Sequence, residues 1–214
     1  MSQRVCVFAR APELGRVKTR LAASLGAARA LVAHGYLVER QLTCIAQCPN
    51  IALELWWTSS QSPAAVVPQA VRQWADASGA SCEHQPEGDL GERMRAALEP
   101  RQAGQQTLVV GSDVIGLSPA LIAAAFAALS DEHTDWVFAP AEDGGFGLVG
   151  ARSTRDHPFG RVRWGRPAVL RECLTRCVAQ GSRWKLTTPV WDVDDAADWE
   201  RLVRLEPAAA LAIR

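Results

Sequence analysis

The sequence predicts an α/β protein, a three-layer α/β/α sandwich around a mostly parallel sheet. Three observations carry this prediction. Apolar runs of strand length alternate with helical patterns along the chain. The runs RVCVFA and TLVVG are almost continuously apolar, as strands covered on both faces require. Charge or glycine then falls where such runs stop, which places polar loops beyond the carboxyl ends of the strands, where open α/β sheets bind ligands.

RVCVFA is the first strand, and a long helix over 27–47 separates it from a second, IALELWWT. A helix over about 64–78 leads into the short segment CEHQ. GDLGERMRAALEP opens another helix with Asp89 placed as its N-cap. TLVVGSD is a short buried strand that ends in polar residues, and Ser118-Pro119 starts the following helix as N-cap and first turn. WVFAPA and FGLVGA flank Glu142-Asp143-Gly144-Gly145, a turn between strands. A helix over 167–180 stops at Gly181. WKLTTPVWDVDD and a last helix from about Ala196 complete the pattern. No repeat, low-complexity tract or Gly/Ser/Pro-rich linker divides the chain, so 1–214 reads as a single domain.

Composition narrows the classes. Lys plus Arg and Asp plus Glu number 23 each, so no global field draws the protein to nucleic acid or to an anionic membrane. A cation cluster within it is therefore a local signal. No run approaches the ~18 apolar residues of a membrane span, and MSQRVCVFAR lacks the apolar core of a secretory signal. Both point to the cytoplasm. Cys173 and Cys177 share the stripe Val169, Leu170, Cys173, Leu174, Cys177, Val178, where free cysteine acts as a small hydrophobe. Neither this pair nor Cys44 and Cys48 has CxxC spacing or a nearby His, so no zinc site or disulfide framework is expected. His34, His84, His133 and His157 share no motif with a nucleophile, and Ser112 sits in GSD rather than GxSxG. Triad hydrolysis is disfavoured. The tryptophans lack interleaved basic residues and read as packing.

Four loops carry chemistry. In FARAPELGRVKTRLA, Arg10, Arg16, Lys18 and Arg20 surround Gly15 between a strand and a helix start. Glycine lets backbone bend around an anion, Arg offers a bidentate fork and Lys a point charge, so this loop suits phosphate. Its sequence is neither a P-loop nor GxGxxG, and a solvated basic loop is the plainer alternative. Asp113, at the end of a buried strand, suits Mg²⁺, which takes one or two carboxylates beside phosphate oxygens; it could instead cap the turn before Gly116. Asp192 and Asp194, alternating along one strand, are candidates for a second ligand, and Asp194 or Asp195 could equally cap the last helix. Glu142 and Asp143 set two carboxylates beside Gly144 and Gly145, where an acceptor or sugar could lie against the strand; a tight hairpin asks for the same residues. Gln85, Asp89 and Arg93 could read a nucleobase edge.

Taken in order, FARAPELGRVKTRLA, QPEGDLGERM, GSDVIGL, PAEDGGFGLVG and WDVDD resemble a bacterial glycosyltransferase-like family associated with radical-SAM and selenodomain gene clusters. The resemblance runs from Phe8 to about Leu202. It implies the GT-A, nucleotide-diphospho-sugar transferase fold, related to nucleotidylyltransferases that make molybdopterin cytosine dinucleotide and lactyl-phosphate guanylyl intermediates. It further implies that Gly15, Lys18 and Arg20 face phosphates, that Gln85, Gly88 and Leu90 lie near the base, and that Asp113 holds metal with Asp194 as a second contact. Asp143, Gly144 and Gly145 would face the acceptor. The chain departs from the family pattern at Val114-Ile115 (Cys-Pro), Phe146 (Tyr), Gly165-Arg166 (Ser-Thr) and Asp195 (Thr).

The leading expectation is a metal-assisted transferase. It would use a nucleoside-diphospho-sugar donor, a small-molecule acceptor and Mg²⁺ or Mn²⁺, with Asp143 or Glu142 as base. A nucleotidylyltransferase releasing pyrophosphate is the second, favoured by the cationic loop around Arg10. A non-catalytic nucleotide-binding protein on the same fold is the third.

Overall fold

The computed structural model describes residues 2–61 and 66–213. Strand β1 (Gln3–Arg10) is followed by helices α1 (Thr19–Leu25) and α2 (Ala27–Ala46), then by β2 (Ile51–Thr58), α3 (Gln69–Ser78) and β3 (Ser81–His84). Helix α4 (Leu90–Leu98), β4 (Gln106–Gly111), β5 (Val114–Ile115) and α5 (Pro119–Ser130) come next. The hairpin β6 (Trp136–Pro140) and β7 (Phe146–Ala151) precedes α6 (Val169–Ala179), β8 (Trp184–Leu186), β9 (Trp191–Asp192), α7 (Ala196–Leu205) and α8 (Ala208–Ala212).

Seven strands form one sheet in the order β3-β2-β1-β4-β7-β6-β8. Only β7 runs against the rest, because the tight turn after β6 sends the chain straight back before it pairs with β4. Alternation along each strand builds the three layers. Val5 and Val7 of β1 and Leu108 and Val110 of β4 pack on one face with α2, α3 and α5. Cys6 and Val109 point the other way, into a core shared with α4 and α6. A third core joins α1, α2, α7 and α8 to the small β5–β9 ribbon. Cys173 and Cys177 are fully buried, on the apolar stripe read from the sequence. No described helix is long and apolar enough to cross a membrane.

The chain moves from β1 outward to β2 and β3, then returns to place β4 on the opposite side of β1. That reversal opens a crevice beyond the carboxyl ends of β1 and β4. Backbone bonds continue the ladders to the rim: Ser112 N–H donates to Phe8 (3.1 Å), Ala11 N–H to Thr58 (2.8 Å) and Gln85 N–H to Trp57 (2.8 Å).

Some boundaries differ from the sequence reading. Helix α3 begins at Gln69 with Pro68 as N-cap, not near residue 64, which lies outside the described residues. Strand β9 ends at Asp192, so Asp194 is not an alternating strand residue. Val193 N–H turns to the Asp113 carbonyl (3.2 Å), and the Asp194 and Asp195 amides already donate to Asp198 of α7. Asp195, rather than Asp194, caps α7, through a reciprocal box with Asp198. Helices α1 and α8 and strand β5 are additions.

Candidate active site

The crevice at the β1/β4 reversal is a cavity of about 580 Å³. Of the predicted residues, Arg10, Lys18, Arg20, Gln85, Gly88, Leu90, Asp113 and Asp194 line it. Arg16 and Arg93 bring the cations on its wall to five. Arg10 and Arg16 have no carboxylate partner among the described residues. Gln85 is buried and its side-chain amide donates to the Trp56 carbonyl (2.8 Å), which fixes its orientation at the rim. Asp89 caps α4 in a reciprocal box with Glu92, and Arg93 Nε donates back to the Gly88 carbonyl (3.0 Å). Gly15 stands outside the cavity wall. Its φ of +72° shows what the glycine does locally: it turns the loop after Glu13, where a side chain would be strained. Glu13 anchors that loop by accepting from the Ser59 and Ser60 hydroxyls and from the Ser60 (2.9 Å) and Gln61 (3.2 Å) amides.

Lys18 is the electrostatic centre. It holds a left-handed backbone (φ +47°) immediately before α1, and its side chain is 8% exposed. Its Nζ lies 2.5 Å from Asp113 Oδ2, 2.6 Å from the Val193 carbonyl and 3.8 Å from Asp194 Oδ1. The β5–β9 ribbon brings Asp113 and Asp194 together from opposite parts of the chain. Burial alone would raise the Asp113 carboxyl, yet the charge and hydrogen bond of Lys18 outweigh it and hold the group below the ordinary range. Asp194 also meets Arg20 at 3.2 Å. Asp192 behaves oppositely: burial, then the charges of Asp113, Asp194 and Asp143, push it up to about 6. Carboxylate oxygens are the donors Mg²⁺ or Mn²⁺ accepts, so Asp113 and Asp194 could hold a divalent ion in place of the Lys18 ammonium they share. Among the described residues, however, no cluster of three or more His, Cys, Asp or Glu side chains is placed to ligate a metal.

A second cavity, about 210 Å³, adjoins the first, sharing Phe8, Leu90 and Asp113 with it. Asp143, Gly145 and Asp192 line it, together with the apolar Met94, Phe146 and Trp164. Asp143 Oδ1 accepts from the Gly145 amide (2.8 Å), which sets the carboxylate on the turn between β6 and β7. Gly144 lies off the cavity wall with φ +88°, and a Cβ there would sit 2.0 Å from the Pro167 carbonyl oxygen. Glu142 also lies off the wall. Arg201 takes it in a two-pronged pair (2.7 and 2.9 Å) that keeps its carboxyl below the usual range, and Arg201 itself covers the Trp191 ring at 4.1 Å.

Several wall residues escaped the sequence reading. His34, Thr58 and Ser112 line the first cavity. His34 belongs to no motif; α2 delivers it to the Arg10 carbonyl (2.9 Å), and burial lowers its pKa. Gly165 and Arg166 stood out only as departures from a family pattern, and both line the second cavity beside Trp164.

A family profile described as an uncharacterized protein conserved in bacteria (DUF2064) matches residues 41–166. The chain belongs to that family. The matched span includes Gln85, Asp113 and Asp143 but neither Lys18 nor Asp194. Among solved structures, this DUF2064 chain is similar to a candidate nucleotide-diphospho-sugar transferase of Desulfovibrio desulfuricans at 26% identity and TM-score 0.79, covering 96% of this chain and 88% of that one. A mannosyltransferase of Pyrobaculum calidifontis, in complex with GDP-mannose and Mn²⁺, shares 14% identity at TM-score 0.56 over 98% and 73%. A CMP:2-keto-3-deoxy-manno-octonic acid synthetase in complex with CTP shares 11% at TM-score 0.57 over 97% and 99%. These likenesses identify the GT-A, nucleotide-diphospho-sugar transferase fold. No curated protein matches the chain.

Proposed function

We propose that the protein is a metal-assisted transferase that uses a nucleoside-diphospho-sugar donor. One observation carries the reading: a cationic cavity and an apolar, carboxylate-bearing cavity meet at a single carboxylate, Asp113. The first suits a diphosphate and the second a separate molecule. In this reading Arg10, Lys18 and Arg20 meet the diphosphate, with Gly15 shaping their loop. Gln85, Gly88 and Leu90 border the base. Asp113 and Asp194, which already share the Lys18 ammonium, would hold Mg²⁺ or Mn²⁺. That ion supplies neutralisation of charge on the departing diphosphate.

An acceptor hydroxyl lies against Gly145 and gives its proton to Asp143 as its oxygen bonds the anomeric carbon. The bond from that carbon to the diphosphate oxygen breaks, and the nucleoside diphosphate departs. Asp143 suits the base better than Glu142, whose carboxylate is committed to Arg201. Gly144 braces the turn instead of contacting the acceptor. The test is a thermal-shift screen of UDP-, GDP-, CDP- and ADP-sugars with Mn²⁺, followed by detection of released nucleoside diphosphate. Stabilisation by at least one sugar nucleotide is expected; indifference to all of them, with binding of free triphosphates, rejects the reading.

Nucleotidylyl transfer is the second reading. The five cations on the first cavity favour it, since a pyrophosphate leaving group needs such charge. Release of pyrophosphate from an NTP in the presence of phosphorylated acceptors decides for it.

A further inference from the structure

The second cavity has a chemistry of its own beyond housing an acceptor. Its apolar wall includes Phe146 and Trp164, whose rings meet edge to face with centroids 6.5 Å apart. The indole is held in place: Trp164 packs on Phe159 at 6.2 Å, and a Cβ at Gly91 would lie 2.8 Å from Trp164 Cζ2. Asp143, Asp192 and Arg166 are also on the wall, yet Arg166 forms an ion pair with neither carboxylate nor with any other among the described residues. The segment bearing Arg166 is fixed beside the Asp143 turn. Gly144 packs against Pro167 too closely for any side chain, the Leu170 amide donates to the Gly144 carbonyl (3.1 Å), and the Val169 amide donates to the Arg166 carbonyl (3.2 Å). Arg166 is exposed, and its guanidinium is a permanent cation with no ion-pair partner among the described residues, on a wall that also carries Asp113, Asp143 and Asp192.

An anionic ligand in the cavity would gain a charge-assisted, two-pronged contact with the unpaired guanidinium that a neutral ligand could not make. We infer that the acceptor is a small hydroxylated molecule with an apolar, ring-sized body and an anionic group, carboxylate or phosphate, met by Arg166. This inference rests on reading the cavity as the acceptor side of a transferase. Asp143 faces the hydroxyl, Phe146 and Trp164 face the body, and Arg166 selects the charge.

Calorimetric titration with para-hydroxymethylbenzoate, para-hydroxymethylphenyl phosphate and the neutral para-hydroxymethylbenzamide tests this on wild type, Arg166→Ala and Arg166→Lys. At least one anion should bind wild type about tenfold or more tighter than the amide, the size of one charge-assisted contact. Arg166→Ala should erase that preference without weakening the amide, and Arg166→Lys should retain part of it. Which anion wins identifies the group. Equal binding of anions and amide, no binding of either anion, or a preference that survives Arg166→Ala would overturn the inference. Thermal shifts with UDP, GDP and CDP plus Mn²⁺ on the same samples separate the two readings. Anion selection without nucleotide binding rejects the transferase and leaves Arg166's role standing; nucleotide binding without anion selection does the reverse.

Discussion

Lys18 occupies the position from which any other cation must compete for Asp113. Two of its three donors are taken, by Asp113 and by the Val193 carbonyl. Lys18→Met removes the ammonium and leaves the carboxylates to each other. Mn²⁺ should then bind more tightly in the absence of nucleotide, while nucleoside diphosphate affinity drops about tenfold or more for the lost charge-assisted contact. Mn²⁺ titration by electron paramagnetic resonance reads the first effect and calorimetry the second. Unchanged Mn²⁺ affinity would show that Lys18 and the metal do not share a place. His34 gives a prediction on pH. Burial lowers its pKa below 6.5, the nearby Lys18 and Arg10 charges add to this, and the Arg10 carbonyl and Asp113 partly oppose it. Below pH 6.5 the unfolded chain therefore binds the proton more readily than the folded one, and stability falls as pH falls. His34→Gln should flatten that decline in urea midpoints; an identical pH profile in the variant would assign the decline elsewhere.

At the scale of elements, the β6–β7 turn and the α7 cap hold the carboxylates. Gly144→Ala forces a Cβ to 2.0 Å from the Pro167 oxygen at a φ of +88°. It should destabilise the protein by about 1–3 kcal/mol, visible as a lower urea midpoint. Asp195→Ala removes acceptors from the Ala197 and Asp198 amides at the start of α7 and should cost about 1 kcal/mol. Strands such as β4 were legible in the sequence because a buried parallel strand is apolar on both faces, and Asp113 was legible because polarity begins where that run ends. Strand β5 was not: two residues become a strand only through β9, its partner from the far end of the chain. Its consequence, the meeting of Asp113 with Asp194, could be guessed from residue type but not placed. Arg166 stood out only as a departure from a family pattern, and its place in a cavity could not be read for the same reason. Nothing local marks an arginine in an arginine-rich stretch, and its cavity is assembled from β4, α4, β7 and the loop before α6.

Across the whole molecule, equal numbers of acidic and basic residues leave no net field, so attraction for an anionic ligand must come from the β1/β4 crevice itself. Its cations differ in exposure. Arg20 is 77% exposed and Arg16 is exposed too, whereas Lys18 is 8% exposed. Salt screens the first kind over roughly 8–10 Å at ordinary ionic strength and the buried kind far less. Affinity should therefore rise from nucleoside to monophosphate to diphosphate and weaken as salt is added. The double variant Arg16→Ala/Arg20→Ala should lose most of that salt dependence. Lys18→Met should bind weakly at every salt concentration yet keep a slope close to wild type. Calorimetry at low and high salt measures both. A nucleoside that binds as tightly as its diphosphate would mean that the crevice recognises the base alone, and that its five cations serve some purpose other than phosphate.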